Sequence, residues 1–242
     1  MFNRSRTFKY LLLIGLLPLA IPAARAVARS NSIPFSDARL KIEYNATDGD
    51  AGLQIFADAE PWRQIGVANP AGREVFEAEA EDVIQNYGLT ELFSESSEPP
   101  FVEFPFEKFK ELFPEGKYTF TGQTIDGREM RSTFRLSHRV PDGPRMVSPA
   151  NDSEISRDSL VVDWDPVTKP AGIDIVGYQV LVVAEEPLSA GGNRTFDATL
   201  DATVTRLPIP AEFLTTGDYK AEVLAIDAGG NQTLTEHAFS IT

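Results

Sequence analysis

In residues 44–52, YNATDGDAG, the oxygen-bearing side chains of Asn45, Asp48 and Asp50 stand close together and are interleaved with glycine. Such a run suits a hard cation such as calcium, which takes carboxylate and carbonyl oxygens. A helix-loop-helix calcium site needs oxygen ligands at alternate positions, a glycine at the sixth and a bidentate glutamate at the twelfth. Counted from Asn45, the sixth residue is Asp50 and the twelfth is Phe56, so the template fails at both. Asp-Gly also bends hairpins, because glycine accepts positive φ and the Asp side chain bonds nearby backbone amides. The stretch therefore reads as a turn between two strands, with Asp48 and Asp50 kept as candidate binding residues.

The other chemistry-bearing residues stand more alone. In AIDAGGNQT, Asp227 and Asn231 resemble a calcium loop only if a second acidic loop faces them, and Asp227 can satisfy the backbone donors of its own bend. Asp163 and Asp165 flank Trp164 in DWD and take the opposite, solvated face of a strand. His138 and His237 lack a neighbouring nucleophile or a metal-ligand spacing. Glu185 and Glu186 are adjacent, so in a strand they point to opposite faces and cannot flank one substrate. The serines have no nucleophile-elbow context and the glycines no phosphate-loop pattern. No catalytic residue, cofactor site or metal site is assigned. Trp62, in AEPWRQ, follows a proline and precedes a strand; exposed, it would stack on a sugar or anchor a partner protein, and otherwise it caps a core.

The bulk composition narrows the setting. At 242 residues there is room for two ordinary domains after a targeting peptide, and 42% hydrophobic with 10% aromatic residues is too apolar for a disordered chain. A net charge of −14 argues against nucleic acid, whose phosphates require clustered Lys and Arg. With no cysteine there is no disulfide, thiol nucleophile or cysteine zinc site.

At the N-terminus, a basic MFNRSRTFK, an apolar YLLLIGLLPLAIPA and the small-x-small ARA spell a signal peptide over 1–26, cleaved after Ala26. The apolar run is broken by Pro18 and Pro22 and falls short of the roughly 20 residues that span a bilayer. No stable membrane span is expected after cleavage. The expected location is periplasmic or secreted. The sequons at Asn45, Asn151, Asn193 and Asn231 matter only in a eukaryotic secretory route.

The elements that must position these residues are mostly strands. A linker over 27–37 leads into LKIEY and LQIFAD, which alternate apolar and polar around the glycine-rich stretch. RQIGVANPAGREVFEAEA forms a second hairpin, with Pro70 and Gly72 at the first-interior and closing positions of its turn. PFEKFKELF breaks the rhythm: Phe106, Phe109 and Phe113 at helical spacing predict one short amphipathic helix over 105–113. Asp126-Gly127 marks a third hairpin. The proline-rich RVPDGPRMVSP provides a second linker over 141–148 between domains at 38–140 and 149–242, and beyond it the chain reads as short strands only.

The second of these domains resembles a fibronectin type III domain, on Pro149, Trp164 in VVDWDPV, Tyr178 in GYQVLV, Leu214 in FLTTGDY, Tyr219 in DYKAEVLAID, and the Gly229-Gly230-Asn231 turn. The resemblance implies a tryptophan packed between two antiparallel sheets and a tyrosine at the corner of the preceding loop. The first domain is similar to an immunoglobulin-like sandwich with a helical insertion. The expected fold is mainly β, two tandem antiparallel β-sandwiches. The expected role is non-enzymatic, binding or scaffolding through protein or carbohydrate partners. Two alternatives stand beside it: an accessory module of, or a divergent, extracytoplasmic polysaccharide-active or proteolytic enzyme, and a calcium-rigidified adhesion-type protein.

Overall fold

Strand β1 (Asp37–Asn45) turns back on β2 (Asp50–Ala68) in a hairpin whose register runs from Asp37 opposite Asp58 to Asn45 opposite Asp50. The alternation is the cause: Leu40, Ile42, Leu53 and Ile55 bury one face, leaving Arg39, Lys41, Glu43 and Gln54 on the other. The computed structural model describes residues 32–187 and 192–242, so the expected signal peptide lies outside the described residues.

β2 pairs with different strands along its two halves. Its first half lies between β1 and a strand not foreseen from the sequence, and its second half pairs two others across a break in register between Asp58 and Trp62. Pro61 sits in that break, where a missing N–H costs the ladder least. The partners of β2 follow in the chain as β3 (Glu74–Glu79), then helix α1 (Asp82–Tyr87), β4 (Leu89–Glu95), helix α2 (Phe106–Leu112), β5 (Gly116–Thr124) and β6 (Glu129–Leu136). β3 and β5 flank the second half of β2, and β4 flanks the first. The expected helix is present as α2, with Pro105 and Phe113 as its caps and Phe109 buried. Only six residues long, α1 has no buried face and therefore left no apolar stripe to read.

The linker over 27–37 is partly tied down. The Ile33 N–H donates to Glu129 O at 3.0 Å, Arg131 N–H donates to Ile33 O at 2.9 Å, and buried Phe35 meets Phe120 edge to face. Two apolar side chains in an otherwise polar stretch gain more by docking on β6 than by staying solvated.

The rest of the chain is strands: β7 (Met146–Ser148), β8 (Ser153–Ile155), β9 (Val161–Trp164), β10 (Ile175–Pro187), β11 (Asn193–Asp201), β12 (Arg206–Pro208), β13 (Gly217–Asp227) and β14 (Gln232–Ile241). β7, β9 and β12 make a three-stranded sheet, and β11, β10, β13 and β14 run in order in the other. Trp164, Tyr178, Tyr219 and Phe239 fill the space between them, with Trp164 edge-on to Tyr178 and Tyr219 stacked on Phe239. Each such aromatic buries about 150–250 Å², which makes them the main source of cohesion here.

The two halves have separate hydrophobic cores, one around Leu40, Trp62 and Phe120, the other around Trp164 and Tyr219. One sheet nevertheless crosses both. β14 pairs in parallel with β1 through Glu43 and Gln232, Tyr44 and Thr233, and Asn45 and Leu234, which makes the larger sheet eleven-stranded.

Candidate functional site

Three features meet on the face where β1 joins β14: a buried asparagine, a carboxylate cluster and a groove. Asn231 is 1% exposed at the start of β14. Its Oδ1 accepts the Ile42 N–H at 2.9 Å, and its Nδ2 donates to Ser137 O at 3.0 Å and Arg139 O at 2.9 Å. One amide thus satisfies a buried strand donor and two carbonyls of the chain leaving β6. Beside it, Thr233 Oγ1 donates to Pro141 O at 2.6 Å. Gly143 lies so close to Ala46 and Thr235 that a Cβ there would stand 2.7 Å from each.

On the outer face of the same sheet, pairing aligns Glu43 of β1 with Gln232, and Gln54 of β2 with Glu95 of β4. Ser96 then holds the chain beyond β4 against β2: its N–H donates to Leu53 O at 3.0 Å and its hydroxyl accepts the Leu53 N–H at 2.9 Å. That tether lays Glu98 over Gly52, in the space that a Cβ at position 52 would need. Glu43, Glu95 and Glu98 consequently offer one oxygen each within 4.8 Å of one another. Gln54 Nε2 donates to Glu43 Oε2 at 2.9 Å and Glu95 Oε1 at 2.6 Å.

Burial, with like charge crowded beside it, sets the electrostatics. Burial, with Glu95, Glu43 and Asp50 as further causes, pushes the Glu98 carboxyl up to about 7. Burial raises Glu43 as well, opposed by its hydrogen bond from Gln232 and by Lys41. Two strands away, burial followed by Glu236 and Glu43 pushes Glu222 of β13 up to about 7. Lys41, whose ammonium donates to Gln232 Oε1 at 2.9 Å, is lowered by burial.

Adjoining the cluster is a groove of about 310 Å³ between the outer face of β1, β2 and β4 and the β10–β11 side of the second sandwich. Phe93, 57% exposed, and Phe56 form its apolar wall, and the Arg39 guanidinium lies 4.5 Å from the Phe56 ring centroid. Gln54, Gln179 and Thr199 supply amides and a hydroxyl. Gln179 is held by two hydrogen bonds from its Nε2 to Asp197, at 3.0 and 3.1 Å.

The residues singled out in the sequence take other places. Trp62 is 0% exposed, at the break in register where the pairing of β2 changes, so its reading as an accessible binding residue is corrected: the indole is a core side chain. Asp48 closes the β1–β2 turn, accepting from Asn45 Nδ2 at 3.1 Å, while Asn45 Oδ1 accepts the N–H groups of Thr47 and Asp48. Asp50 stands at the edge of the carboxylate cluster; burial raises it, with Asp48 as the second cause. Asp163 pairs with Arg206 and Asp165 with Arg145. A ring nitrogen of His138 bonds Phe113 O, and one of His237 bonds Pro149 O. Glu95 and Glu98 carried no sequence signal beyond lying in an acidic stretch, SESSE; strand pairing brings Glu95 to Glu43, and the Ser96 tether beyond β4 brings Glu98.

The tyrosine expected at a corner is there. The Tyr219 hydroxyl accepts the Thr215 N–H at 2.8 Å and donates to Thr215 O at 3.0 Å, while Trp164 is sealed between the sheets at 1% exposure. The C-terminal half is fibronectin type III-like in fold. No family model matches the chain, and no curated protein matches it. Solved structures that match include fibronectin(III)-like modules of Clostridium thermocellum CbhA, at 10% identity and TM-score 0.32, covering 86% of this chain and 91% of that one. Chicken CNTN1 FN1–FN3 domains match at 13% identity and TM-score 0.29, covering 86% of this chain and 65% of that one. A tetra-tandem repeat in the extending region of a large adhesion protein matches at 17% and 0.27, covering 85% and 50%. This chain therefore spans less than two thirds of the latter two.

Proposed function

We propose that the protein is an exported, non-enzymatic binding module that holds a neutral carbohydrate chain in the groove between its two sandwiches. The observation that carries the reading is the wall chemistry: an exposed phenylalanine beside fixed amides and a hydroxyl, spread over strands of both halves. Aromatic faces pack against the apolar side of a sugar ring, and amides match its hydroxyls. The weld at Asn231 supports it, because groups on β2, β4, β10 and β11 must keep a fixed spacing to read one ligand. The acidic surface favours a neutral ligand over an anionic one. Export is supported by the basic-apolar-small pattern of the first 26 residues.

Titration of the purified protein with neutral oligosaccharides tests this. Binding should weaken about tenfold or more in Phe93→Ala and Gln179→Ala, with unchanged melting temperature. Equal affinity in wild type and both variants, or no binding across a glycan panel, overturns it.

A further inference from the structure

We propose that the free edge of β4 takes an added strand from a partner protein, an extended segment that carries two cationic residues four positions apart with an apolar residue midway. β4 pairs with β2 alone, and from Asp58 opposite Glu91 to Gln54 opposite Glu95 that ladder is unbroken. The next residue, Ser96, donates its N–H to Leu53 O at 3.0 Å, which sets the phase of the ladder. Bonded and non-bonded residues alternate in an antiparallel pair, so Leu92 and Ser94 turn their backbone groups to β2, and Glu91, Phe93 and Glu95 turn theirs away. Among the described residues no second strand and no loop backbone bonds the N–H or C=O of these three.

Sheet edges are commonly blunted by lysine, proline or a bulge. The run ELFSE of β4 has neither lysine nor proline, and its break in register with β2 lies outside it, between Asp58 and Trp62. The fold already takes one extended segment on an edge: beside β6 the Ile33 N–H donates to Glu129 O, and Ile33 O accepts the Arg131 N–H. Charge selects the partner. Glu91 and Glu95 are exposed on either side of Phe93, on the same face of the strand, and among the described residues neither carboxylate forms an ion pair. A second copy added antiparallel to the same edge, with Phe93 on the two-fold axis, would set Glu91 against Glu95 at both ends, like charge directly opposite like charge. A strand with lysine or arginine opposite each glutamate, and a β-branched or aromatic residue opposite Phe93, makes favourable cross-strand pairs at all of these positions. The carboxylates thus guard the edge against its own copy and leave it open to a basic strand, whose main-chain bonds supply affinity and whose side chains supply specificity. The backbone edge carries this reading, so it is independent of the groove ligand.

Titration of the full chain with a synthetic peptide of alternating threonine and valine, bearing two lysines four positions apart around a valine, tests it together with residue-resolved amide hydrogen exchange. In the free protein the amides of Glu91, Phe93 and Glu95 should exchange fast and those of Leu92 and Ser94 slowly. Saturating peptide should slow the first three by about tenfold or more. The double variant Glu91→Gln/Glu95→Gln should bind the peptide about five- to tenfold more weakly with unchanged Tm, and a peptide with glutamate in place of both lysines should not bind the wild type. N-methylation of the peptide residues that face β4 should abolish binding, because it removes their donors. Absence of binding, binding that leaves the three amides unprotected, or equal affinity for the glutamate peptide overturns the proposal. Self-association of the chain that protects the same amides without peptide overturns it in favour of a second copy.

Discussion

Asn231 and Ile42 lie 189 positions apart, yet the Oδ1 of the first accepts the backbone N–H of the second at 2.9 Å. Both are almost fully buried, so the bond is shielded from water and neither group has solvent to fall back on. Asn231→Ala leaves the Ile42 N–H and the carbonyls of Ser137 and Arg139 short of a partner. The expected loss is about 2–4 kcal/mol. Denaturant unfolding checks it, and a second transition in the variant would show the two cores separating.

Gly143 is expected to resist even the smallest side chain. A Cβ at that position would stand 2.7 Å from Ala46 Cβ and from Thr235 Oγ1, one on each side of the β1–β14 seam. Relief requires the seam to open. Gly143→Ala should cost about 1–3 kcal/mol by overpacking, read as a lowered Tm with unchanged circular dichroism.

Tyr219 ties the loop before β13 to its strand. Its hydroxyl bonds both the N–H and the C=O of Thr215 and accepts from Arg194 Nη2 at 2.8 Å. Tyr219→Phe keeps the stacking on Phe239 and removes these bonds. The expected cost is about 1–2 kcal/mol, measured by urea unfolding.

Stability should fall as pH rises through neutrality. Glu98 and Glu222 are both raised from 4.5 to about 7, so the folded state holds these protons more tightly than the unfolded chain. Their contribution is fully present below about pH 4.5 and is lost as pH rises through about 7. Burial is the main cause at both; Glu95, Glu43 and Asp50 add to it around Glu98, and Glu236 and Glu43 add to it around Glu222, where Lys220 opposes. In chelator, Tm should therefore drop between pH 5 and pH 8. Glu98→Gln combined with Glu222→Gln should flatten that slope; an equal slope in the variant would show that other groups set it.

Much of the local structure is visible along the chain. Alternation at Leu40, Ile42, Leu53 and Ile55 gives the first hairpin, Phe106 and Phe109 the helix, and Gly127, at φ 85°, the third turn. Trp164 and Tyr219 mark the second sandwich because large aromatics at alternate positions have few places to go but inward. These features follow from interactions between near neighbours, and a periodic pattern records them.

The site is of another kind. Trp62 has the same local context whether it is exposed or buried; what decides is the pairing of β4 and β5 to different parts of β2, with the register shifting on either side of Trp62. Asp48 and Asp50 stand out in the line of the chain, but the carboxylates that converge are Glu43 and, from a stretch some fifty residues on, Glu95 and Glu98. Asn231 reads as the last residue of a turn, and its amide instead joins the two halves. The sequence alone determined the strand periods, the turns and the inward aromatics, because short-range sterics and burial decide these. Only the tertiary structure decided which strands became neighbours across more than a hundred residues, and with that which charges and amides share one face.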